Sequence, residues 1–260
     1  DDWTYSAPIF TWSWEIFKPD LYWRPLEKLN YLFLGYIPSL HNYYLHLFAG
    51  AGHLISVWAA YKLACRLGAS SVNAAVGAAI FAVSPAVCSA VWQVDSVNQT
   101  WSTALGLISS LVLLQSRSKL NIICWLVLAI AATLWKESGI AWLLIPPLLE
   151  ALISGGSKRL SWQVIKTSGV KLLPGVIAIG AYFLIRFHLA GDVALGSSGG
   201  RYSLSFAPVL WVKNLIMLWG CSLTTIDTIA MFGAPPDPLY AIISFLFGFP
   251  LLLIVAVRMF

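Results

Sequence analysis

Charge is what this sequence has least of. Charged side chains make up 10% of its 260 residues, against 59% hydrophobic, and the mean hydropathy is +0.78. A soluble domain carries about 25% charged residues. The shortage therefore argues against an ordinary soluble fold and for a chain that crosses a membrane several times. From Leu67 to Val94 there is no charged residue at all. Cysteine is sparse too. Cys65, Cys88, Cys124 and Cys221 stand far apart, in or beside apolar runs, and no CxxC pair occurs. That spacing speaks against a thiolate metal site or redox centre and fits thiols packing as small hydrophobes. Neither an initiating methionine nor a signal peptide precedes Asp1-Asp2-Trp3, and the sequence stops beside an apolar run at Arg258-Met259-Phe260. The expectation is a segment of a longer protein with at least one helix before Asp1.

What is present reads as an all-α, polytopic membrane domain spanning 1–260. The formal net charge of +5 needs no nucleic-acid partner, because cytoplasmic loops collect Lys and Arg. Thirteen Trp and ten Tyr suit aromatic belts at two interfaces. Run length predicts about seven crossing helices. They fall at 43–65, 72–92, 100–115, 120–135, 140–149, 172–189 and 239–257. Residues 1–42 are broken by Pro8, Pro19, Pro25 and Pro38 and read as an outer loop, with an interfacial helix within 24–37. Residues 93–99 read as a polar connection, and Lys158, Arg159, Lys166 and Lys171 as a basic loop. Residues 190–237 read as a second outer loop, with 207–223 lying along the interface.

Orientation follows from the basic residues. Lys62/Arg66, Arg117/Lys119, the Lys158–Lys171 loop and Arg258 fit one cytoplasmic face. Asp1, Asp2, Asp95, Lys136, Glu137, Arg186, Arg201 and Asp227 then gather on the other, whether periplasmic, extracellular or luminal. Lys136 and Glu137 stand between two apolar runs. Charge at membrane depth is expensive and usually functional. The plainer alternative is an interfacial ion pair marking where two helices end. His46, Gly50 and His53 lie at i, i+4 and i+7, which puts two imidazoles on one helix face. Hydrogen-bonded histidines and a metal site both fit that spacing.

The order of short motifs carries a resemblance. An acidic pair, Asp1-Asp2, is followed by Tyr22-Trp23-Arg24-Pro25-Leu26, then Pro38 and a His-bearing helix start. Phe81-Ala82-Val83-Ser84-Pro85 with Val91-Trp92 comes next, and Lys136-Glu137-Ser138-Gly139-Ile140 precedes Pro146. Over about residues 1–190 this resembles the GT-C superfamily of polyprenyl-phosphate-sugar-dependent glycosyltransferases. The nearest likeness is to the dolichyl-phosphate-mannose protein mannosyltransferases with TPR repeats and their bacterial relatives. The TPR part is not present in this sequence.

The resemblance implies roles. Asp1 and Asp2 map to the acidic residues of the first outer loop, which hold the acceptor as a base or through a metal. A carboxylate suits deprotonation of an attacking hydroxyl, and two could share a divalent ion. A solvated loop or a helix cap is the plainer reading of the same two residues. The leaving group is a lipid phosphate, which needs cations at the membrane face. Arg24, Lys136 and Arg186 are the candidates, with headgroup snorkelling the alternative for both arginines. His46, His53, Asp95, Glu137 and Arg201 would line the cavity. The implied partners are a polyprenyl-phosphate-linked sugar, membrane lipids, and an acceptor protein or glycan. A non-catalytic subunit of a larger membrane complex, or a transporter, is the competing reading. A transporter fits less well, since no inverted repeat is evident and the charges sit at helix ends.

Overall fold

The computed structural model describes residues 24–35, 41–84, 96–115, 118–155 and 162–190, with isolated positions 88, 91, 242, 246 and 250. These residues form helices and no strand. In chain order they are α1 (Pro25–Gly35), α2 (His41–Arg66), α3 (Ser71–Val83), α4 (Val97–Gln115) and α5 (Lys119–Trp135). A 3-10 helix (Glu137–Leu143), α6 (Ile145–Gly155) and α7 (Trp162–Ala190) follow. The expected segments 207–223 and 239–257 lie outside the described residues, apart from the isolated positions named above.

Local chemistry sets the boundaries. The Ser70 hydroxyl accepts from the Asn73 amide at 3.2 Å and starts α3, and Ser118 does the same for α5 through the Asn121 amide at 3.1 Å. Ser84 precedes Pro85 and takes an extended conformation (φ −59°, ψ 127°), as the proline ring requires of its neighbour. So α3 stops at Val83, and the span expected over 72–92 is corrected. Thirteen residues reach only about 20 Å, short of the roughly 30 Å of hydrocarbon. Three more expectations change. Asn98 and Gln99, read as loop, belong to the first turn of α4, and Lys166 and Lys171, read as loop, lie on α7. The apolar run after Glu137 is two elements, not one helix, because the chain tightens into 3-10 geometry before α6 begins.

The bundle is built around α4, which packs between α2 and α5 and also meets the 3-10 helix and α6. The buried face of α4 carries Asn98, Thr100, Ser102, Gly106, Ser109 and Ser110. Their hydroxyls are satisfied on carbonyls: Ser102 donates to Ala132 of α5 at 2.9 Å, and Ser110 to Gly106 at 3.0 Å. Small residues let the helices approach closely. A methyl group added at Gly106 would stand 2.1 Å from the Trp142 ring, so the indole occupies the space a side chain would need. At the far end of α4, the Arg66 guanidinium donates to the Leu114 carbonyl at 2.8 Å and the Gln115 carbonyl at 3.1 Å. It thereby closes the helix C-terminus from α2.

The outward faces are apolar. Val72, Val76, Ile80 and Val83 on α3, and Leu120, Ile123, Val127 and Ile130 on α5, are exposed at helical spacing. Polar and small inside with apolar outside inverts the pattern of a soluble bundle. Among the described residues, Val97–Gln115 is the one helix long and apolar enough to cross a membrane by length and composition. Ser71–Val83, Lys119–Trp135 and Leu172–His188 are apolar but shorter. Gly106→Ala is expected to destabilise the protein by about 1–3 kcal/mol through overpacking against Trp142. The check is thermal unfolding in detergent, and an unchanged midpoint would mean that Trp142 does not seal α4.

Candidate functional site

The turn after α5 is fixed from both sides. Lys136 is extended (φ −154°, ψ 139°) and breaks the helix. Its amide still donates to the Ala132 carbonyl at 3.1 Å, and its own carbonyl accepts from the Gly139 amide at 2.8 Å. The chain then folds straight back on α5. A methyl group at Gly139 would lie 2.3 Å from the Ala132 carbonyl oxygen, so only glycine fits this approach. This backbone holds Glu137 at the start of the 3-10 helix.

Glu137 meets Arg24, which enters α1 from 113 residues away in sequence. The Arg24 Nε–H donates to Oε2 at 2.9 Å and to Oε1 at 3.1 Å. The side chains keep only 18% and 21% of their exposure, so the pair is sheltered from screening. Arg24 Nη1 also reaches Glu27 Oε2 at 3.4 Å, one helical turn on. Glu27 is buried, and its other oxygen accepts a short hydrogen bond from Asn98 Nδ2. One chain of polar contacts thus runs from α4 through α1 to the 3-10 helix. Burial alone would lower the Arg24 pKa, but Glu137 and Glu27 outweigh it, and the guanidinium ends above its usual value. Glu27 goes the other way for an acid. Burial pushes its carboxyl up, and Arg24 and Asn98 only partly oppose this.

The same cluster extends to α7. Tyr182 adjoins Arg186 one turn along the helix and lies within electrostatic reach of Glu137 and Arg24. Tyr182 also walls a cavity of about 250 Å³ between α5, the 3-10 helix and α7. Its lining is apolar, with Ile130, Leu134, Leu143 and Ile185 among the residues. Phe48, Trp101 and Trp135 stack in a row, with ring centroids 4.5 Å apart for Phe48–Trp101 and 6.2 Å for Trp101–Trp135. They form an aromatic floor that joins α2, α4 and α5.

Of the residues singled out from sequence, Arg24 and Glu137 are in direct contact and Arg186 belongs to the same neighbourhood; Lys136 is the chain neighbour of Glu137. His53 is elsewhere: its Nε2 meets the Ala82 carbonyl oxygen at 3.1 Å and its ring stands beside Phe81, on the α2–α3 contact. His46 is half-buried on α2. Asp1, Asp2, Asp95 and Arg201 lie outside the described residues. Among the described residues no group of three His, Cys, Asp or Glu side chains could hold a metal ion. Sequence reasoning missed Glu27, Asn98 and Tyr182. Glu27 and Tyr182 stood three and four residues from a named arginine, a helical spacing that could have flagged them. Asn98 was hidden by its assignment to a loop.

No family model matches the chain, and no curated protein or solved structure matches it at a significant level.

The raised pKa of Glu27 has a definite sign. A carboxyl whose folded pKa exceeds its ordinary value of 4.5 contributes stability that is full below that value and is lost as pH rises through the folded one. The melting temperature of the protein, measured against Glu27→Gln, is therefore expected to rise as pH falls from neutrality toward about 4.5. A gap independent of pH would mean that Glu27 is as well solvated folded as unfolded.

Proposed function

We propose that this chain is the membrane domain of a GT-C-like glycosyltransferase. It moves a sugar from a polyprenyl-phosphate donor to an acceptor hydroxyl on the non-cytoplasmic face of a multi-pass bundle. The observation that carries the reading is the meeting of Arg24, Glu137, Tyr182 and Arg186, which come from three distant segments, beside an apolar cavity. The inverted polarity of the bundle supports the membrane setting. The apolar outer faces of the shorter helices α3 and α5 fit the same setting.

The chemistry asked of the site is modest and electrostatic. As the glycosidic bond to the donor phosphate breaks, negative charge grows on the phosphate oxygens. Arg24, Lys136 and Arg186 bring three positive charges, and Glu27 and Glu137 bring two negative ones when ionised. The surplus of one matches the single charge of a phosphodiester donor. The acceptor hydroxyl must lose its proton as it attacks the anomeric carbon, and Asp1 or Asp2 is the base assigned to it.

The test is a transfer assay in nanodiscs with a polyprenyl-phosphate sugar. Asp1→Asn or Asp2→Asn is expected to cost about 10²–10⁴-fold in turnover with donor binding retained. Lys136→Ala is expected to raise the apparent KM for the donor, because it meets charge already present in the ground state. Unchanged turnover in both aspartate variants would make a non-catalytic subunit the better reading.

A further inference from the structure

We propose that Glu27 and Asn98 are positioning residues: acting through Arg24, they hold Glu137, and with it the Lys136 turn, in register with Arg186. The inference rests on the donor-phosphate reading of Lys136 and Arg186 and adds to it two residues that touch neither the donor nor the acceptor.

The argument starts from what burial costs. Asn98 is 1% exposed and Glu27 is 9% exposed. A buried amide or carboxyl without a partner is expensive, so each side chain constrains the other. Asn98 Nδ2 donates to Glu27 Oε1, Glu27 Oε2 takes Arg24 Nη1 at 3.4 Å, and Arg24 Nε holds both oxygens of Glu137. Every link joins a different pair of groups, and the ends lie on α4 and on the turn that carries Lys136. Displacing one member therefore propagates to the next, as expected of a connected polar network in a low dielectric.

The opposite end of α4 supplies an internal comparison. There Arg66 ties α2 to α4 by donating to two carbonyls, with no carboxylate involved. Fastening helices in this bundle does not need a chain of ionised groups. Buried ion pairs are also poor stabilisers, since apolar residues of similar volume often serve as well. The charged chain occurs at the end where Lys136 and Arg186 stand, which is where placement to a fraction of an ångström matters for a phosphate.

The test uses Glu27→Gln, Asn98→Leu, the double variant, and Arg66→Ala as a purely structural control. Binding of polyprenyl phosphate is measured in nanodiscs. In parallel, a nitroxide is placed at Lys136→Cys with Cys65, Cys88, Cys124 and Cys221 replaced by alanine. Each single variant is expected to weaken binding about tenfold, and the double variant no more than the worse single one, because both act through the same arginine. The nitroxide at position 136 is expected to gain mobility in all three. Arg66→Ala is expected to lower the melting temperature while leaving affinity and nitroxide mobility unchanged. An unaltered nitroxide spectrum in Glu27→Gln and Asn98→Leu, or losses that multiply in the double variant, would overturn the proposal. If the wild type binds no polyprenyl phosphate, the donor reading falls, and the nitroxide decides the relay by itself.

Discussion

The contact on which the site depends is the bond from Arg24 to Glu137. A largely buried carboxylate just past a helix end is costly alone, and so is a largely buried guanidinium. Together they fix two segments that nothing local brings together. Arg24 leads into α1, whose residues Leu26 and Tyr31 pack on the aromatic floor near Trp135. Glu137 begins the 3-10 helix that returns toward α4. Removing Arg24 leaves Glu137 without this partner, and α1 is then held by the Glu27–Asn98 bond and the packing of Leu26 and Tyr31 alone.

Interior polarity is the second constraint. Hydroxyls along α4 and α5 spend their hydrogen bonds on carbonyls of their own or the neighbouring helix. Indole N–H groups do likewise: Trp101 donates to Phe48 and Trp125 to Trp142, each at 3.1 Å. Close contact between these helices rests on small residues and such bonds, the pattern known for helices that pack within hydrocarbon. The apolar cavity beside Tyr182 is a gap in this close packing at the place where charge is concentrated.

Much of this was legible in the sequence, for identifiable reasons. Apolar run length located α2, α4, α5 and most of α7, because charge-free stretches and helices coincide there. Ser118 and Ser70 mark helix starts by their type alone. The end of α3 was legible too, in Ser84-Pro85, but hydropathy ran on through the proline and concealed it. The Lys136-Glu137 turn and Arg24 stood out as charge against an apolar background. Which charge would meet which was not readable, because the partners lie 113 residues apart. Asn98 was lost to a general bias that reads polar runs as loops, although burial on a helix is where a polar side chain constrains most. The 3-10 geometry after Glu137 left no signature, since it follows from the Gly139 approach to Ala132.

That 3-10 segment has a consequence for how the chain can vary in length. A 3-10 helix rises about 2.0 Å and turns about 120° per residue, against about 1.5 Å and 100° for an α-helix. Its seven residues therefore carry the chain about 14 Å before α6 starts, and each one sets the direction α6 faces. Deleting or inserting a single residue would swing α6 by about a third of a turn, carrying the buried Glu150 toward the outer surface and Ile145 or Leu148 inward. Of the linkers described, this is the one whose length is locked to the rotation of the helix that follows it. The residue count of this segment is therefore as constrained as the glycine at position 139 within it.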